Sequence, residues 1–193
     1  IQKYIMNLFL LNKNIHECVK NLCDKHVVKM ILETAQILYC AWHTRHGLPD
    51  DKSLQLYPAY KKTHTNYPVA VWVRFSQEHY KWTCMYGLLL CYEYSFRYKK
   101  VHKTQAHLER LWQWGYPEKI LPEEPPKKKS KEWIYAKEGI PVTFSYFPLC
   151  MDEDSYVKTK TGYDAVESYK KYYKTKKDKF KMEWRYSKCP KWF

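Results

Sequence analysis

The stretch CDKHVVKMILETAQILYCAWH, residues 23–43, constrains the fold more than any other part of the chain. Val27, Val28, Ile31, Ala35, Leu38 and Trp42 recur at helical spacing and share one side at 100° per residue. The pattern predicts a helix over 24 to about 45, closed by the Gly and Pro of HGLPDD. A second band runs beside the apolar stripe and holds His26, Lys29, Glu33, Gln36, Cys40 and His43. Spacings of i, i+3, i+7 and i+10 put His26, Lys29, Glu33 and Gln36 in one row. An acid, a base and an amide on a core-bound helix have two explanations. The plainer one is a solvated face with a Lys29–Glu33 bridge at i, i+4. The other is the wall of an active site. There Glu33, raised by apolar neighbours, exchanges protons, or, held ionised by Lys29, stabilises a cationic transition state.

The remaining pattern is also mainly helical. NLFLLN (7–12) reads as a buried strand or extended entry segment, and Asn14 as the N-cap of a short helix, IHECVKNLC. Asp24 either caps the next helix or continues the first. Thr65 or Asn66 caps a long aromatic-rich helix from Pro68 to about residue 98, with Pro68 in its first turn. A third, shorter helix follows in KVHKTQAHLERLWQW. Residues 116–131 hold four prolines and a lysine run and read as an exposed loop. WIYAKEGIPVTFSYFPLCM reads as an ordered loop or short hairpin. The last helix spans 164–184, with Val166, Tyr169 and Tyr173 as its buried stripe. The expected architecture is all-α, one multi-helix domain over 1–193 with a long central helix and an irregular Pro-rich insertion.

Charge narrows the partner. Thirty-four Lys and Arg against 20 Asp and Glu give +14, which favours a polyanion. Nineteen Tyr, eight Trp and seven Phe supply rings for a core and for base stacking. No apolar run reaches the roughly 18–20 residues of a membrane span, so the expected partner is double-stranded DNA rather than a membrane. Seven cysteines, none in a CxxC pair, read as free thiols of a reducing compartment, host cytoplasm or nucleus for a viral protein. Cys18, Cys23 and His26 match no standard zinc spacing, so neither a metal nor a cofactor is expected.

Two further groups suit nucleic acid. In KKTHTNYPVAVW, His64 and Asn66 precede a helix N-terminus that itself attracts phosphate, Lys61 and Lys62 add charge, and Arg74 follows on the helix. Asn66 as a cap and Trp72 in the core are the plainer assignments there. Between 170 and 181 seven lysines meet one acid, Asp178, so Lys170, Lys171 and Lys174 form a basic face, either solvated or on phosphate. Lys103 lies in a weaker basic cluster of the same kind, and Lys25 stands beside the His26 row.

DKHVVKMILE has the form Asp-x-His-x6-Glu over Asp24, His26 and Glu33. It resembles the stretch around the catalytic Glu of the small phage and viral pyrimidine-dimer DNA glycosylases with AP lyase activity. The order of elements is similar too: a short N-terminal segment, the Glu-bearing helix, a long aromatic-rich helix and a Tyr/Lys/Trp-rich end. The chain also resembles phage proteins that carry CDKHVVKM, THxNxP…W and a terminal P-x-W-F, here Cys23–Met30, Thr63–Trp72 and Pro190–Phe193. The resemblance implies a glycosylase acting on a damaged or modified pyrimidine, with Glu33 as key acid and His26 and Lys29 beside it. The family's nucleophile is the α-amine of a Thr exposed by removal of Met. Here Asn7 follows Met6, and Arg residues do not flank Glu33. A processed Asn7, or a desolvated Lys25 or Lys29, would supply the amine, whereas Glu33 acting through water needs none. The alternatives are a non-catalytic basic nucleic-acid-binding viral protein and a DNA base-modifying enzyme.

Overall fold

The computed structural model describes residues 6–120 and 133–193. The lysine run and most prolines of the expected 116–131 loop lie outside the described residues. Its first part is not a free loop: Pro117 is buried and its carbonyl accepts Arg45 Nε at 3.0 Å, while the Tyr116 hydroxyl donates to the Arg74 carbonyl at 2.8 Å.

The fold is mainly helical. The helices are α1 (Ile15–Lys20), α2 (Asp24–Arg45), α3 (Ser53–Leu56), α4 (Pro68–Phe75), α5 (Gln77–Tyr98), α6 (Gln105–Trp114) and α7 (Ala165–Lys174). Four two-residue strands form two antiparallel pairs: β1 (Tyr135–Ala136) with β2 (Phe147–Pro148), and β3 (Val157–Lys158) with β4 (Tyr163–Asp164). Among the described residues no helix is long and apolar enough to cross a membrane.

Helix α2 lies at the centre, against α4, α5 and α6. Its expected stripe, Val27, Ile31, Ala35, Leu38 and Trp42, is buried. Gly87 lets α5 and α6 close on it: a Cβ there would stand 2.7 Å from Leu108 Cδ2 and 3.0 Å from Thr34 Cγ2. Residues 6–11 form a buried extended segment rather than a strand, and their backbone runs along the core beneath α2 and α7.

Several helix ends differ from the sequence pattern, each for a local reason. The expected 68–98 helix is two helices. Ser76 adopts extended backbone (φ −141°, ψ 157°), and its hydroxyl accepts the His79 N–H at 3.2 Å, capping α5. Tyr67, not Thr65 or Asn66, occupies the cap position of α4, with Pro68 in the first turn as expected. Lys99, left-handed at φ 56°, stops α5, so α6 begins at Gln105. Asn14 caps α1 as expected, but that helix ends at Lys20. The last helix stops at Lys174 and continues as a 3-10 turn, Thr175–Asp178, where the Thr175 hydroxyl donates to the Tyr172 carbonyl at 2.7 Å in place of a helical N–H.

Asp24 does not cap α2; Cys23 holds that position. Instead Asp24 Oδ1 accepts Arg97 Nη1 at 2.9 Å and the Arg185 backbone N–H at 3.0 Å. Arg97 is fully buried. It also reaches the carbonyls of Leu22 (2.8 Å) and Lys20 (3.1 Å) and Glu93 Oε1 (2.7 Å). One guanidinium thus closes the end of α1 and joins it to α2 and α5. The C-terminal segment straps this corner, with Asp24 N–H on the Glu183 carbonyl (2.8 Å), Trp184 Nε1 on the Asn21 carbonyl (3.0 Å) and the Ser187 hydroxyl on Glu93 (2.8 Å).

Candidate active site

Glu33 sits midway along α2, 8% exposed, on the face that meets the N-terminal segment. Its Oε1 pairs with Lys29 Nζ at 3.0 Å, and its Oε2 lies 3.5 Å from the backbone nitrogen of Asn7. Burial raises the Glu33 pKa. The Lys29 charge, then the Lys29 and Asn7 hydrogen bonds and the His64 charge, pull it back down. The carboxylate is therefore desolvated, with all its compensation coming from nitrogen groups around it.

Asn7 is fixed on every side. Its Nδ2 donates to the Cys150 carbonyl at 2.8 Å, and its Oδ1 accepts the Tyr169 hydroxyl at 3.0 Å and the Leu8 N–H at 2.8 Å. The extended segment, the loop after β2 and α7 thus converge to set one backbone nitrogen against one carboxylate.

Tyr67 and Tyr172 add aromatic walls. Burial raises the Tyr67 hydroxyl first, and the Cys150, Tyr172 and Glu33 charges raise it further. Lys176, just past α7, lies with Nζ 3.8 Å above the Tyr172 ring. It is half-buried, and among the described residues no carboxylate pairs with it. Burial first, then repulsion from Lys179 and Lys29, lowers its pKa to about 8, against a small opposing pull from Asp152.

His26 occupies a different environment from the one its spacing suggests. It is buried among Phe9, Tyr173 and Phe180, with ring centroids at 4.9, 5.1 and 5.4 Å. The Tyr173 hydroxyl accepts the Cys23 N–H at 2.9 Å and is hydrogen-bonded to His26 Nδ1 at 2.7 Å. Burial, with Lys29 and Lys176 nearby, lowers the His26 pKa to about 3. The ring is neutral at ordinary pH and joins α2 to α7, because a position on the row toward the helix start meets α7 rather than open space.

The remaining expected site residues divide. His64 and Asn66 are exposed, and His64 is left-handed (φ 51°), its Nδ1 2.7 Å from the Thr63 hydroxyl. Gln36 is half-buried one turn beyond Glu33. Lys25 lies over the Phe180 ring at 4.8 Å, and Lys62 and Lys103 are exposed. Arg74 Nη1 donates to the Thr65 carbonyl at 2.5 Å and so braces the His64 loop. Lys171 and Lys174 are exposed, whereas Lys170 pairs with Glu167 at 2.8 Å and is largely covered. Among the described residues no group of three or more His, Cys, Asp or Glu is placed to hold a metal, and all seven cysteines are free thiols. Tyr67, Tyr172 and Lys176 are absent from the expected set. Lys176 belongs to the lysine run that the sequence pattern already marked.

The family model for pyrimidine dimer DNA glycosylase matches residues 6–106, just over half of the chain. This chain belongs to the pyrimidine dimer DNA glycosylase family. No curated protein and no solved structure matches it. Family membership makes DNA the glycosylase's partner and base excision its class of chemistry. The matched segment of the glycosylase begins at Met6, beside the nitrogen that faces Glu33, and contains α1 to α5. Asn7, Lys29, Glu33, His64 and Tyr67 all lie inside it, whereas Tyr172 and Lys176 come from outside it.

Proposed function

We propose that this glycosylase excises a damaged pyrimidine from duplex DNA, with Glu33 as the acting carboxylate. The supporting observation is the 3.5 Å approach of the Asn7 nitrogen to Glu33 Oε2 in a site ringed by Lys29, His64 and Tyr67. A nucleotide extruded from the helix meets that carboxylate. As the C1′–base bond stretches, positive charge grows on the sugar, and a desolvated carboxylate stabilises it more strongly than water does. Lys29 keeps Glu33 ionised for that role, while His64, Asn66 and Lys176 face the phosphates or the base.

Residue 7 decides the nucleophile. With Met6 attached its nitrogen is an amide, and Glu33 takes a proton from water as the water attacks C1′. With Met6 removed, the same nitrogen is a primary amine. Its lone pair bonds to C1′, the C1′–base bond breaks, and the base leaves with its electron pair and a proton. Opening of the sugar and loss of the second amine proton leave an imine, from which β-elimination of the 3′ phosphate gives lyase activity.

The test uses UV-irradiated duplex DNA, chains starting at Ile1 and at Asn7, and borohydride. Cleavage of the glycosyl bond at dimers by both chains, read as alkali-labile abasic sites, with a trapped adduct at residue 7 only in the shorter one, is the expected result. No such cleavage by either chain overturns the reading.

A further inference from the structure

We infer that a band of partly exposed aromatic rings, running from His64 across α4 and β1, binds unpaired nucleobases by stacking. The band begins with His64, whose ring centroid lies 6.3 Å from Tyr67, and Tyr67 lies 5.7 Å from Trp133. Trp133 and Tyr135 are two residues apart on an extended segment and share one face, while Ala136 between that face and the core is buried. Tyr135 then meets Tyr146 at 5.0 Å, and Tyr146 meets Phe75 at 5.7 Å.

Tyr67 and Tyr146 pack partly against the core, whereas Phe75, Trp133 and Tyr135 do not complete it. Phe75 is 63% exposed and Tyr135 37%, and Tyr67, Trp133 and Tyr146 are half-buried. An exposed apolar band of this extent marks a binding surface. Three observations select its occupant. Its His64, Tyr67 and Phe75 lie inside the segment matched by the DNA glycosylase family, on the same segment as Glu33. Exposed Lys61 and Lys137 flank it on a chain of net charge +14, which suits a phosphate-bearing strand and opposes another copy of a cation. The ring pairs lie 5.0–6.3 Å apart and meet edge to face at 60–89°, and Trp133 and Tyr135 are joined only through the extended segment, so the exposed rings are offered separately to bases splayed from a strand rather than to a flat stacked duplex edge. The inference goes beyond excision at Glu33: it assigns a surface to the bases that leave the duplex around the lesion.

The measurement is fluorescence anisotropy of a short oligothymidylate and of an undamaged duplex against the wild-type chain and Trp133→Leu, Trp133→Phe and Phe75→Ala. Loss of one stacking ring should weaken the single strand by about tenfold. Duplex affinity should hold within about twofold, since it is set by phosphates. Trp133→Phe should restore most of the affinity. Phe75→Ala changes a ring too exposed to matter for folding, so its effect stands even if Trp133→Leu unfolds. Equal effects on single strand and duplex, or no effect on either, overturn the inference. So does a concentration-dependent dimer that Phe75→Ala abolishes. The oligothymidylate carries no lesion and no base is released from it, so this result and the fate of the Glu33 reading are separate.

Discussion

The backbone nitrogen of Asn7 lies 3.5 Å from Glu33 Oε2, and neither group reaches this position by itself. Asn7 is held through its side chain by Cys150 and Tyr169, and Glu33 through Lys29. Glu33→Gln keeps the shape and removes the charge. It should abolish most base release, about a hundredfold or more in kcat for a lost charge stabiliser, while DNA affinity and the unfolding midpoint stay close to wild type. Retained base release together with a small loss of stability would make Glu33 only the partner of Lys29.

Lys29 sets the acid side of the activity profile. Its charge is the largest influence opposing the upward shift that burial imposes on Glu33. Lys29→Met should therefore raise the Glu33 pKa and move the acid limb of kcat/KM to higher pH. An unmoved limb would show that Glu33 ionisation does not control the rate.

Lys176 brings a cation to the site from outside the family-matched segment. Lys176→Met should flatten the dependence of log K on log salt by about 0.9, the share of one phosphate. It should raise KM more than it lowers kcat. Neutralising exposed Lys171 and Lys174 together should flatten the slope by about twice as much. Unchanged slopes would assign these lysines to solvation.

His26 makes stability depend on pH. Its folded pKa, about 3, lies below the ordinary 6.5, so at pH values between these the unfolded chain binds the extra proton. The stabilisation is complete above about 6.5 and is lost as pH falls toward 3, by at most about 1.4 kcal/mol per pH unit for one proton. Urea unfolding of wild type and His26→Phe from pH 7 to 5 should show a steeper fall for wild type. Parallel curves would exclude the neutral buried ring as the cause.

Asp24 is needed by Arg97, which is buried and reaches three backbone and side-chain partners beside it. Asp24→Ala should cost about 3 kcal/mol, as for breaking a buried pair. It should also expose the strap at Arg185 and Ser187 to protease. A change below about 0.5 kcal/mol would mean that Glu93 alone compensates the guanidinium.

The sequence determined α2 to its ends, because 22 residues of 3.6-fold periodicity leave little choice, and it placed Lys29 and Glu33 one turn apart. It also marked the buried stripe of α7, the hairpin region around β1 and β2, and the basic, aromatic composition that suits DNA. What periodicity could not tell was which segment each part of the polar row meets. His26 and Glu33 are equivalent on a helical wheel, yet α7 covers one with Tyr173 while the extended segment brings Asn7 to the other. The break at Ser76, the stop at Lys174 and the Asp24–Arg97 corner likewise depend on partners distant in sequence or on competition between side chain and backbone. Spacing fixes which side chains share a face, and only the packing of other segments onto that face decides which partner each of them meets.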